Sequence, residues 1–210
     1  MTKITLELWG MTFMEPMALI LNWALAGLSF LYYKRLRSAS SWGFEKLWKA
    51  FFLTFAIAVF FEGLAHFLYF YIGKYGTAPG WTFALISVAF MEMAISTKLS
   101  VKWGTRLHYL IALKFIVLMA LMSFDFVFKW VIIQSVSGFI VTLGGVSVLG
   151  LLKRRQYMKY FLLGIGVLLL CVPFIILEID IHPWINRFDI SLVFMFFSLI
   201  LIYRGVRKSD

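Results

Sequence analysis

Residues 47–72 read LWKAFFLTFAIAVFFEGLAHFLYFYI, twenty-six positions that carry two formal charges, Lys49 and Glu62, and one histidine, His66. A helix rises about 1.5 Å per residue, so about 20 apolar residues cross the hydrocarbon core of a bilayer. This stretch is long enough and apolar enough to do so. Working outward, six more stretches have the same character: Pro16–Tyr33 before it, then Trp81–Leu99, Leu107–Met122, Phe126–Leu152, Tyr157–Leu177 and Phe188–Tyr203 after it. Phe126–Leu152 is long enough to tilt. Pro16 suits a first helical turn, and Pro173 is expected to break the sixth helix. The pattern predicts an all-α polytopic membrane protein, one seven-helix bundle over residues 1–210.

Composition agrees. Of the 210 residues 62% are hydrophobic and 14% charged, and the mean hydropathy is +0.91. Soluble domains carry about 25% charged residues. A water-soluble enzyme, a disordered chain and a nucleic-acid-binding domain are thereby excluded. The net charge of +10 is a matter of topology instead. Lys34, Arg35, Arg37, Lys46 and Lys49 follow helix one. Lys98, Lys102 and Arg106 follow helix three. Lys153, Arg154, Arg155 and Lys159 follow helix five, and Arg204, Arg207 and Lys208 close the chain. Only Lys3, Lys74, Lys129 and Arg187 fall on the other side, with Lys114 inside helix four. The positive-inside rule then puts the N-terminus outside and the C-terminus in the cytoplasm, a parity that seven crossings satisfy. Trp9, Trp42, Trp48, Trp81, Trp103, Trp130 and Trp184 flank the spans as an interfacial belt, and Trp23 falls within one.

Residues 1–14 show no secretory signal. Ile4, Leu6 and Leu8 alternate with Lys3, Thr5 and Glu7, which reads as a surface-lying segment or a disordered tail. The single cysteine, Cys171, excludes an internal disulfide and a thiolate metal site. Gly138, Thr142 and Gly145 form a small-residue stripe on helix five that permits close approach of a neighbour.

Ionisable groups at membrane depth are costly and mark functional sites. Glu62 and His66 are four residues apart, on one face of helix two. Glu15 and Asn22 belong to the outer part of helix one. Asp125, Glu178, Asp180, His182, Asn186 and Asp189 fall at the outer ends of later helices. The candidate polar pocket is therefore Glu15, Asn22, Glu62, His66, His182, Asn186 and Asp189, in the outer half of the bundle. Glu62 and His66 can satisfy each other, bind a divalent metal, or relay a proton. Glu92 on helix three and Lys114 on helix four reach similar depth and are expected to form a structural ion pair, with an ion or proton path as the alternative. His108 lies at the cytoplasmic end, on the wrong side to join the other histidines, which counts against opposed haem ligands.

Glu15-Pro16 with Asn22, the Gly63–His66 stretch, the run His182-Pro183-Trp184-Ile185-Asn186-Arg187-Phe188-Asp189-Ile190-Ser191 and the terminal Arg204-Gly205 resemble a group of bacterial seven-helix membrane proteins of unassigned activity. That group is distantly similar to the alkaline ceramidases and related seven-helix receptor-hydrolases. The resemblance implies the seven-helix fold and a bacterial cytoplasmic membrane. In the hydrolases, helix two carries a Ser and a His four apart and the last helix two His four apart, and those His residues hold a zinc that activates water against a lipid amide. His66 matches the helix-two His and Glu62 stands in place of the Ser. The last-helix pair falls near Phe188 and Leu192, which cannot bind metal.

Three readings follow. The leading one is a hydrolase-like fold without catalysis, binding lipid or serving as a subunit of a membrane assembly. The second is a metal-dependent lipid amide or ester hydrolase using Glu62 and His66 with His182 or Asp189, with zinc as its cofactor. The third is a transporter or proton relay through Glu92 and Lys114. Membrane lipid is the expected partner, and nucleic acid is not.

Overall fold

A computed structural model describes residues 5–8, 10–36, 43–182 and 184–209. The chain opens with a hairpin. Strand β1, Thr5–Leu8, pairs antiparallel with β2, Met11–Met14, in the register Thr5↔Met14 to Leu8↔Met11. Within the segment expected to lie at the surface or to be a disordered tail, residues 5–8 and 11–14 are thus strands, which qualifies the all-α class. The apolar–polar alternation is the period of a strand, and Gly10, at φ 76°, supplies the left-handed residue the turn needs. Phe13 holds the hairpin down by stacking on Phe67, with ring centroids 4.3 Å apart.

Seven helices long and apolar enough to cross a membrane follow. They are α1 (Pro16–Arg35), α2 (Phe44–Phe67), α3 (Ala78–Ser96), α4 (Val101–Phe124), α5 (Lys129–Leu152), α6 (Met158–Ile176) and α7 (Arg187–Arg207). Helix α2 stops at Phe67 rather than at Ile72. Residues 69–77 instead form two short helical turns around Gly73, whose φ of 57° diverts the chain. Helix α3 then starts at Ala78, with Pro79 in its first turn. Helix α6 breaks after Leu169 and restarts at Val172, with Pro173 in the new first turn where its missing N–H costs nothing.

The helices run alternately, so one end of the bundle carries the hairpin and the other collects the basic loops. At the basic end Arg155 donates from Nη1 to the Lys98 carbonyl at 2.7 Å, and Lys98 Nζ sits 3.8 Å above the Phe44 ring. Just inside lies an aromatic core: Tyr32 stacks on Tyr203 at 3.8 Å and Trp48 on Phe161 at 5.5 Å. Trp48 is 0% exposed, so this member of the expected belt is covered by protein. It packs as a core ring because α6 and α7 close over it, Gly205 lying against the Phe161 ring. Trp9, Trp42, Arg37, Lys3 and Pro183 lie outside the described residues.

Two close approaches set the geometry of the polar groups. A Cβ on Gly80 would stand 2.5 Å from Glu62 Oε2 and 3.2 Å from the Ala58 carbonyl, so only glycine lets α3 lie against α2 here. A Cβ on Gly138 would stand 2.3 Å from Val88, which brings α5 onto α3. Gly145, by contrast, has open space at its Cβ. The small-residue stripe therefore acts through Gly138 and Thr142 and not along its whole length.

Candidate functional site

At the hairpin end the α1 entry is conformationally forced. Glu15, between β2 and Pro16, adopts the left-handed region at φ 48°, which non-glycine residues rarely occupy. That turn delivers its carboxylate to α2, where His66 Nδ1 donates to Glu15 Oε2 at 2.6 Å. The other ring nitrogen, His66 Nε2, stands 3.6 Å from Glu62 Oε1 on the same helix. Trp81 Nε1 donates to Glu62 Oε1 at 3.3 Å from α3. One imidazole thus bridges two carboxylates from two helices, and an indole from a third helix fixes one of them. A second Glu62 oxygen, Oε2, is buried against Gly80 without a hydrogen-bond partner among the described residues.

Asp189 lies within electrostatic range of Glu15 and His66. It is 2% exposed and belongs to a capping box: Asn186 N–H donates to Asp189 Oδ2 at 3.0 Å, and Asp189 N–H donates to Asn186 Oδ1 at 3.1 Å. Its other oxygen, Oδ1, is buried with no partner among the described residues. Anchoring the first turn of α7 accounts for Asn186 and for half of Asp189.

Of the seven candidate pocket residues, the structure brings Glu15, Glu62 and His66 together, with Asp189 in range. Asn22 is buried but donates to the Ala18 carbonyl of its own helix at 2.8 Å and packs against Gly63. His182 is exposed, in a small β-bridge with Ile185, and its Nδ1 accepts from Trp184 N–H at 3.2 Å. Asp180 and Glu178 engage Arg187 at 3.7 and 3.1 Å, and Asp125 pairs with Lys129 at 2.7 Å. Those acids share the end of the bundle but serve their own loops. Trp81 is the member of the cluster that the sequence did not single out, because its place at a span end already explained it.

Among the described residues no group of three or more His, Cys, Asp and Glu side chains is arranged to hold a metal ion. Both nitrogens of His66 already face carboxylates, and a catalytic zinc takes three protein ligands.

The second polar centre lies deep. Lys114 Nζ on α4 donates to Glu92 Oε1 on α3 at 2.6 Å and to Ser137 Oγ on α5 at 2.8 Å. Thr142 Oγ1 donates to the same Glu92 oxygen at 2.8 Å, and Gln134 Nε2 to the other at 3.3 Å. Residues Ser137–Gly144 are π-helical, a form that adds a residue to the turn and recurs at functional sites. Its effect here is rotational: Val141 is turned outward at 68% exposure while Thr142 is buried on Glu92. Gln134 and Ser137 were legible only as polar interruptions in an apolar run. His108, at the other end of α4, meets the Met93 carbonyl at 3.0 Å.

An apolar groove of 470 Å³ runs along α1 and α2, between Trp23, Ala26, Gly27 and Phe30 on one side and Leu53, Ala56, Ile57, Phe60 and Phe61 on the other.

A family model described as a family of unknown function, DUF6962, matches residues 17–210. No curated protein and no solved structure matches the chain.

Proposed function

The chain belongs to that family of unknown function, and we propose that this seven-helix membrane protein is a non-catalytic binder of membrane lipid. The observation that carries the reading is the α1–α2 groove. Its 470 Å³ falls in the range of about 300–1,000 Å³ usual for small-ligand sites. Its walls are almost wholly apolar, which suits an acyl chain. Helix α2 carries Glu62 and His66, Glu15 stands at the entry to α1, and Phe60 and Phe61 immediately precede Glu62 in sequence. The polar cluster then stands at headgroup level. A non-catalytic role is supported by the commitment of both His66 nitrogens to carboxylates. We orient the hairpin end away from the cytoplasm, since fourteen of the eighteen basic residues among the described ones gather at the opposite end. We place the chain in a bacterial cytoplasmic membrane.

Gly27 offers the test. Its Cβ position meets no atom within 4 Å, so Gly27→Trp fills the groove without displacing backbone. Native mass spectrometry of the purified protein is expected to show several-fold less bound lipid in this variant, at an unchanged melting temperature. Equal lipid occupancy in both proteins overturns the reading. Stoichiometric zinc in the wild type that is lost in His66→Ala would replace it with the hydrolytic alternative.

A further inference from the structure

The centre formed by Glu92, Lys114, Gln134, Ser137 and Thr142 is far more elaborate than an ion pair requires. Glu92 is 1% exposed and Gln134 is 0% exposed. The Lys114 ammonium touches a carboxylate oxygen at 2.6 Å and a hydroxyl at 2.8 Å. The Thr142 hydroxyl joins that same carboxylate oxygen at 2.8 Å. Gln134 bonds the carboxylate through its nitrogen at 3.3 Å, while its oxygen, Oε1, is buried and has no donor among the described residues. Carboxylate, hydroxyl and amide oxygens are the ligands that hard cations take. Two helices supply them, Glu92 from α3 and Gln134, Ser137 and Thr142 from α5, with Thr142 inside the π-helical stretch, and a third helix, α4, brings the ammonium.

We propose that this is a monovalent-cation cage whose occupant is the protein's own Lys114 ammonium, a cation tethered to α4. The charge balance favours a single positive charge. Glu92 is the only carboxylate in the set, so one ammonium or one alkali ion neutralises it, whereas a divalent ion would leave an uncompensated charge in a medium that penalises one heavily. The tether also explains how α4 is held. Of its residues only Gly104, Ile111, Leu118 and Met122 are buried, which is little apolar contact for a helix of 24 residues. Lys114, reaching from α4 into the α3–α5 seam, fastens it. A free alkali ion in the same place would neutralise Glu92 beside the Ser137 hydroxyl, but it would not fasten α4.

The test removes the tether and asks whether an ion replaces it. Wild-type protein and Lys114→Ala are purified in one detergent, and melting temperatures are compared in sodium, potassium, lithium and choline chloride at equal ionic strength. Wild type is expected to show no preference among the four salts. Lys114→Ala is expected to melt lower in choline and to regain a few degrees, saturably, in at least one alkali salt. The double variant Glu92→Gln/Lys114→Met, which has no buried charge, is expected to fold and to lose the preference. Should Lys114→Ala not fold, Lys114→Gln, which keeps most of the side chain's length without its charge, takes its place. The proposal is overturned by a Lys114 variant that melts identically in all four salts. It is equally overturned by a wild type stabilised by one alkali ion, or by failure of both single variants to fold in every salt while the double variant folds.

Discussion

At His66 the two ring nitrogens face carboxylates from different segments, Glu15 at 2.6 Å and Glu62 at 3.6 Å. A doubly protonated ring can donate to both, so the residue is a brace between α1 and α2. Removing it in His66→Ala leaves two acidic groups facing each other. A loss of about 1–2 kcal/mol is expected from a charge-assisted hydrogen bond in a half-exposed setting, measured by denaturation in detergent; Glu15→Gln, which keeps the acceptor, should lose less. Thr142→Val tests the deep centre in the same terms. The side chain keeps its shape and loses its donor to Glu92, and a drop of about 1–3 kcal/mol is expected for a buried hydrogen bond to a charged group. Glu62, His66, Glu92 and Lys114 were legible in the sequence because a charge within an apolar run stands out. Trp81 and Thr142 were not, since a tryptophan at a span end and a threonine in a small-residue stripe already have ordinary explanations. Glu15 was legible as a residue type, but its left-handed backbone, the feature that aims it, has no signature in sequence.

At the scale of elements, the spans were readable because hydrophobic length is imposed by the bilayer. Their ends were not, because a helix end depends on caps and local turns. The π-helical stretch Ser137–Gly144 is apolar throughout apart from Ser137 and Thr142, so nothing in its composition distinguishes it from α-helix; packing of Gly138 on Val88 and the pull of Glu92 on Thr142 do. The pairing of the two strands was not legible, because a few residues of alternation weigh little until an anchor is known, and the anchor, Phe67, is on another element. Two helix contacts invite a direct test. Gly80→Ala and Gly138→Ala each insert a methyl where α3 meets a neighbour, at 2.5 Å from Glu62 Oε2 and 2.3 Å from Val88. Overpacking of this kind costs about 1–3 kcal/mol. Gly80→Ala should hurt more than its methyl alone, since the Ala58 carbonyl and Glu62 N–H also lie within 3.2 Å and backbone yields less readily than a side chain. Gly145→Ala, with nothing near its Cβ, should be neutral or slightly stabilising, as alanine favours helix.

For the whole molecule the decisive quantity is the distribution of charge between its two ends. The orientation we propose can be checked with single cysteines in a Cys171→Ala background: Glu7→Cys should react with an impermeant maleimide added to intact cells, and Ser209→Cys only after the membrane is opened. The reverse pattern would invert the assignment. Substituting Lys153, Arg154 and Arg155 by glutamine is expected to weaken this bias and produce a mixed population. One further consequence concerns biogenesis. Glu92 and Lys114 sit on consecutive helices joined by only four residues, 97–100. During synthesis the two opposite charges can therefore meet as soon as the second helix has left the ribosome, before the segment that carries Gln134, Ser137 and Thr142 has emerged from it. Each chaperones the other into the lipid as a neutralised pair, and the later segment arrives to find its partner already in place.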